Sequence, residues 1–385
     1  MTRASATTRA VANRWVDGGG AVLAGVGLVS ALGYDAPTAL AAARAGVSRA
    51  SVQPHWRKRS GVSGVEEPVV GHAAGLLTLG FEGETRLRRL ALGALQDLLA
   101  ERLDAALLKQ RVGLYVALPD PERARSCAPL RGAAAATPEP DPDEPAPAER
   151  ARAFVHAVAA GVAWVEKPST LFWNHLGHAA GAVVLGAAAQ DLQAGKVDTA
   201  IVLAVDSLLD DDSLTWLAAC GRLKCDDSPA GLMPGEAAVA LALRRPGEAA
   251  EPLATLRGLA FAEEPLAQAG GRVSSGEVLT EAVARAWSEA APQAAWLLAD
   301  HNGEHHRAHE WGSALARLRS MGDAFADPAL WLPALSFGDT GAASTPLAVA
   351  MASHAWRRGC APGTAAVVAA CSDGGARAAL LLTSH

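Results

Sequence analysis

The chain has 385 residues, half of them hydrophobic, with 34 Lys and Arg against 40 Asp and Glu and a formal charge of −6. That length supports a large buried core, and the acidic balance without a basic stripe excludes a general nucleic-acid surface, which needs clustered Lys and Arg. Five cysteines without paired spacing fit reduced thiols, and no apolar run reaches the roughly 18 residues of a membrane span.

Residues 1–20 read as a polar N-terminal extension. It carries Arg3, Arg9 and Arg14 and lacks the compact apolar stretch and cleavage site of a secretory signal, so a cytoplasmic protein is expected. Ala21 to Val29 is an apolar, β-branched run expected as a strand, closed by a turn at Gly33. Val112 to Ala117 is a second such run. Residues 132–150, GAAAATPEPDPDEPAPAER, mix proline, acid and alanine in a pattern that cannot bury a core face, and a flexible insertion is expected there. After Trp164 to Thr170 comes a strand containing Phe172 and Trp173. It leads through a turn at His178 into a helix of small residues with Gly181 and Gly186, spaced as closely crossing backbones require. Gly195 and Asp198 end that helix before a strand from Thr199 to Val205, and Ala237 to Leu243 is the next strand. Pro246 to Pro252 is a join. Beyond it the rhythm repeats with Ala295 to Leu298, Ala365 to Ala370 and Ala378 to Leu382, the last closing a hairpin after Asp373-Gly374-Gly375. Strands apolar on both faces and separated by helical patterns predict an α/β fold with sheets covered by helices.

Several of these segments resemble the β-ketoacyl synthases of the thiolase-like superfamily. The resemblance rests on Ala21 to Gly33, on His178 with Gly181, Gly186, Gly195 and Asp198, on Met233 to Leu243, on Asp300 to Trp311, on Gly338 to Ser344, and on Cys371 to Gly375. It implies two similar halves, 21–245 and 253–385, in a layered αβαβα architecture. It also implies where catalysis would sit. A decarboxylating condensing enzyme needs a thiolate to carry the acyl chain and two histidines to stabilise the enolate. His178 stands in the place of the cysteine, His301 matches the first histidine, and Asp339 stands where the second would fall. Ala334 takes the position of the family's lysine, and Cys371, Ser372 and Asp373 replace its gating loop. An ionised aspartate would repel an enolate, and a histidine at a helix N-terminus is expected to be neutral.

The resemblance therefore implies a degenerate synthase whose pocket residues His178, His301, Asp339 and Ser372 are vestigial, with no cofactor. The expected role is a binding or accessory one, as a chain-length-factor-like subunit or a secretion-associated protein. Expected partners are a second thiolase-fold subunit, in a homodimer or heterodimer, and an acyl carrier protein or a secretion cargo protein. Phe172 and Trp173 are the interface candidates. The alternative is an atypical acyltransferase acting on acyl thioesters. A further alternative is metal binding by His301, His305 and His309, which would share a face if the segment were helical throughout. Arg307 between carboxylates, with Trp311 beside it, reads as a polar lock over the former site.

Overall fold

The computed structural model describes residues 13–14, 20–61, 63–101, 110–121, 146–162, 167–265, 273–287 and 295–385. Its strands are β1 (Asn13–Arg14), β2 (Ala21–Ser30), β3 (Ser51–Arg59), β4 (Glu66–Gly71), β5 (Val112–Ala117), β6 (Thr170–Asn174) and β7 (Thr199–Ser207). They continue with β8 (Glu236–Arg244), β9 (Ala254–Glu263), β10 (Trp296–Ala299), β11 (Ala329–Trp331), β12 (Ala365–Cys371) and β13 (Ala376–Thr383). The apolar runs read from the sequence all appear as strands, with ends displaced by no more than a few residues. The hairpin β3–β4 was not foreseen, because SVQPHWRKR is polar and largely exposed and has no buried face to mark it.

The sheet order exposes a duplication that residue identity hides. One half runs β2-β8-β7-β5-β6 and the other β9-β13-β12-β10-β11. In each, the first three strands pair antiparallel and the last two join in parallel. The halves meet where Ala21 to Leu23 of β2 pairs with β9.

Two inner helices, Ala180–Gln193 and Ser344–Arg357, lie between the halves within one apolar cluster that includes Leu185, Leu192, Leu347 and Val349. Outer helices Gly83–Glu101 and Pro147–Ala160 cover the outward face of the first half, and Glu277–Ala286 and His305–Arg319 that of the second. This is the layered α/β arrangement of two similar halves. Each fully buried leucine in such a layer contributes roughly 1.5–3 kcal/mol. The inner helices approach so closely that a Cβ on Gly181 would lie 2.4 Å from Pro346 Cδ. Gly181→Ala is therefore expected to lower stability by about 1–3 kcal/mol through overpacking. Urea denaturation measures this, and an unchanged midpoint would mean that the helices can part freely.

One expectation needs amendment, and others fall outside the described residues. Residues 147–150 of the expected insertion form the first turn of the Pro147–Ala160 helix, with proline at its start, where a missing N–H costs nothing. Residues 132–145 and Trp164 lie outside the described residues, as does most of 1–20 apart from the β1 pairing with β9. Of the two interface candidates, Trp173 is turned by alternation along β6 into the outer apolar cluster, where it is 6% exposed. Phe172 points the other way, half-buried against the central cluster, its ring 6.2 Å from Tyr115. Among the described residues, no helix is long and apolar enough to cross a membrane.

Candidate active site

Equivalent turns in the two halves deliver His178 and Asp339 to one place. After β6 a 3-10 turn, Gly177–Ala179, enters the first inner helix, and after β11 the turn Gly341–Ala343 enters the second. Gly177 and Gly341 both have positive φ, 56° and 50°. A side chain on Gly341 would also collide with Asp206, whose Oδ2 accepts the Ala342 N–H at 2.9 Å. The two turns are tied together by Thr345 Oγ1 donating to the His178 carbonyl at 2.9 Å.

His178 Nε2 lies 2.7 Å from Asp339 Oδ1, and its Nδ1 lies 3.4 Å from Arg307 Nη2. Asp339 Oδ1 also accepts the Gly341 N–H, and its Oδ2 accepts from Asn302 Nδ2 at 2.6 Å. Burial opposes charge on both partners. It is outweighed by their mutual attraction, so the imidazole pKa is raised and the carboxyl is held well below the usual carboxylate range. This reverses the expectation of a neutral histidine, because a carboxylate at hydrogen-bond distance outweighs the helix terminus. When the imidazolium does lose a proton, Nδ1 empties and faces the Arg307 guanidinium. Neither ring nitrogen is open to an acyl group.

Around this pair lies a buried ionic network. Arg307, 1% exposed, donates to Asp300 Oδ2 at 2.9 Å and Asp373 Oδ1 at 3.2 Å, and it also reaches the Cys371 carbonyl. Arg222, 3% exposed, makes paired bonds to Glu304, both at 2.7 Å, and binds Asp373 Oδ2 at 2.6 Å. Its guanidinium sits 5.2 Å over the Trp216 ring. Asp373 is held well below the carboxylate range because the two arginines overcome its burial. Trp311 Nε1 donates to Asp300 Oδ1, as a covering tryptophan would. Glu310 belongs elsewhere and pairs with Arg377, so the carboxylates beside Arg307 are Asp300 and Asp373.

The structure brings His178, Asp339 and Ser372 together and leaves out His301. Ser372 Oγ accepts the Ala179 N–H at 2.9 Å and donates to the Leu176 carbonyl, which ties the former gating loop to the His178 turn. His301 turns aside and accepts the Gly303 N–H at its Nδ1. Its neighbour Asn302 bridges Asp339 and Glu304 instead. His305 and His309 are exposed on the His305–Arg319 helix, His309 Nδ1 donating to the Ser274 carbonyl. His301 precedes that helix, across Gly303 with φ 103°, so the three do not share a helical face. No group of three or more potential metal-ligating side chains gathers among the described residues. Burial pushes the Cys371 thiol well up, which leaves it a core residue rather than a nucleophile.

The space left beside His178 is a cavity of about 30 Å³, roughly two water-sized sites. It is lined by Asp206, Trp216, Arg222, Asp339 and Asp373 among others.

No protein-family model and no curated protein matches the chain. Solved structures do. An oxazolomycin ketosynthase domain of Streptomyces albus superposes with a TM-score of 0.68 at 16% identity, covering 97% of this chain and 74% of that one. A type II polyketide ketosynthase, solved with its acyl carrier protein and bound to a hexaketide, gives 0.71 at 15% identity, covering 97% and 100%. The ishigamide ketosynthase/chain length factor gives 0.65 at 20%, covering 95% and 99%. The chain has a thiolase-like, ketosynthase-like fold.

Proposed function

We propose that this is a catalytically degenerate ketosynthase-fold protein that works by binding, as a partner subunit in the manner of a chain length factor. The observation that carries the reading is the occupation of both His178 ring nitrogens, one by Asp339 and the other by Arg307. The ionised Asp339 would repel an enolate, and Ala334 supplies no charge. The solved ketosynthase/chain length factor supports a second thiolase-fold chain as the partner. So does β6, whose only neighbour in the sheet among the described residues is β5. A carrier protein is the next partner proposed, by analogy with the ketosynthase solved in complex with one. We likewise propose that the functional units are 21–245 and 253–385, each holding one five-stranded run.

The test is intact-protein mass spectrometry after incubation with acetyl, malonyl and longer acyl thioesters, on coenzyme A and on a carrier protein. The expected result is an unchanged mass and no release of carbon dioxide. A stable adduct or turnover would establish the alternative, an atypical acyltransferase.

A further inference from the structure

The inner helix Ser344–Arg357 begins beside the His178 site and ends about 20 Å away at the rise of an α-helix. At that far end is a second cavity of about 30 Å³. Its floor is apolar, formed by Val26, Leu40 and Leu253, and its rim holds His354, Arg357 and Arg358. Arg44, in the last turn of the Ala36–Arg44 helix, is close enough to repel His354. Among the described residues, no ion pair or side-chain hydrogen bond engages Arg44, Arg357 or Arg358, in a chain whose formal charge is −6.

Basic side chains in a last helical turn ordinarily offset the helix dipole. Two helices end here, and each C-terminus supplies about half a negative charge. Three permanent guanidinium charges exceed that by about two, which leaves a surplus of the size of a dianion. The guanidinium fork matches the oxygens of a phosphate, and the apolar floor suits a short hydrocarbon foot.

We propose that this cavity is a binding site for a small phosphomonoester, held by Arg44, Arg357 and Arg358 with His354 at its edge. The apolar foot separates an organic phosphate from inorganic phosphate. His354 provides a second readout. Its pKa is lowered by burial, then by Arg358, Arg357 and Arg44, and no acid opposes them. A bound dianion favours its protonated form, so His354 adds to the affinity at lower pH, against the ester's own protonation, whose second pKa of about 6 turns dianion into monoanion over the same range.

Titration of the full chain with phenyl phosphate and with inorganic phosphate, followed by calorimetry at pH 7.5 and 5.5, tests this. Saturable binding is expected at both pH values, tighter for phenyl phosphate. Arg357→Ala with Arg358→Ala should weaken it at least tenfold, while His354→Gln should cost more affinity at pH 5.5 than at pH 7.5. Both arginines are exposed, so thermal unfolding should be little changed and will show that the variants fold. No saturable binding, or binding indifferent to the arginine pair, would overturn the proposal.

Discussion

Replacing Arg307 by alanine is expected to destabilise the protein by about 3–5 kcal/mol, because it leaves buried carboxylates without their counter-charge. Asp300 and Asp373 would each lose a guanidinium bond, and the Cys371 carbonyl would lose a donor. A loss of that size is a large fraction of the total stability of an ordinary domain. Adding Asp300→Asn and Asp373→Asn should recover part of it, since the penalty comes from unpaired charge rather than from a missing attraction. Arg111→Ala is the control. Its pair with Asp198 is as short, 2.8 Å, but the arginine is solvent-exposed, and little change is expected. Urea denaturation of the four proteins measures this. A loss below about 1 kcal/mol for Arg307→Ala would mean that water enters and solvates the carboxylates, and the network would then be no lock.

The sequence made the scaffold legible and the site only partly so, for a physical reason. A strand buried on both faces must be apolar throughout, so β5, β7, β8 and β12 are visible as uninterrupted runs. A helix crossed at close range must carry small residues, so Gly181 marks the inner helix. Glycines at fixed spacing flank His178, Asp339 and Ser372, and the structure brings these three together. Asn302 was passed over because His301, beside it, has the more conspicuous chemistry, and only the backbone path through Gly303 decides which of the two faces inward. Arg222 carries no local signal at all. Its partners Glu304 and Asp373 lie 82 and 151 residues away, and such pairing exists only once the halves have packed.

The largest functional change is expected from rebuilding the nucleophile and its surroundings. His178→Cys alone would place a thiol beside Asp339, which loses its imidazole partner and keeps Arg307 and Asn302 to hold its charge against burial. Two negative charges at that separation in a buried site disfavour the thiolate, so alkylation by iodoacetamide at neutral pH should be slow. Combining it with Asn302→His and Asp339→His removes the repelling charge and supplies two imidazole donors. The helix start then favours the thiolate, and each unit by which the thiol pKa falls increases the reactive fraction up to tenfold. Labelling at the substituted position, followed by peptide mapping so that the native cysteines do not contribute, should be at least tenfold faster in the triple variant. Equal rates would show that Asp339 does not control charge at this site. Charge at this position would then be set by the other buried groups around the cavity, Arg222, Arg307 and Asp373.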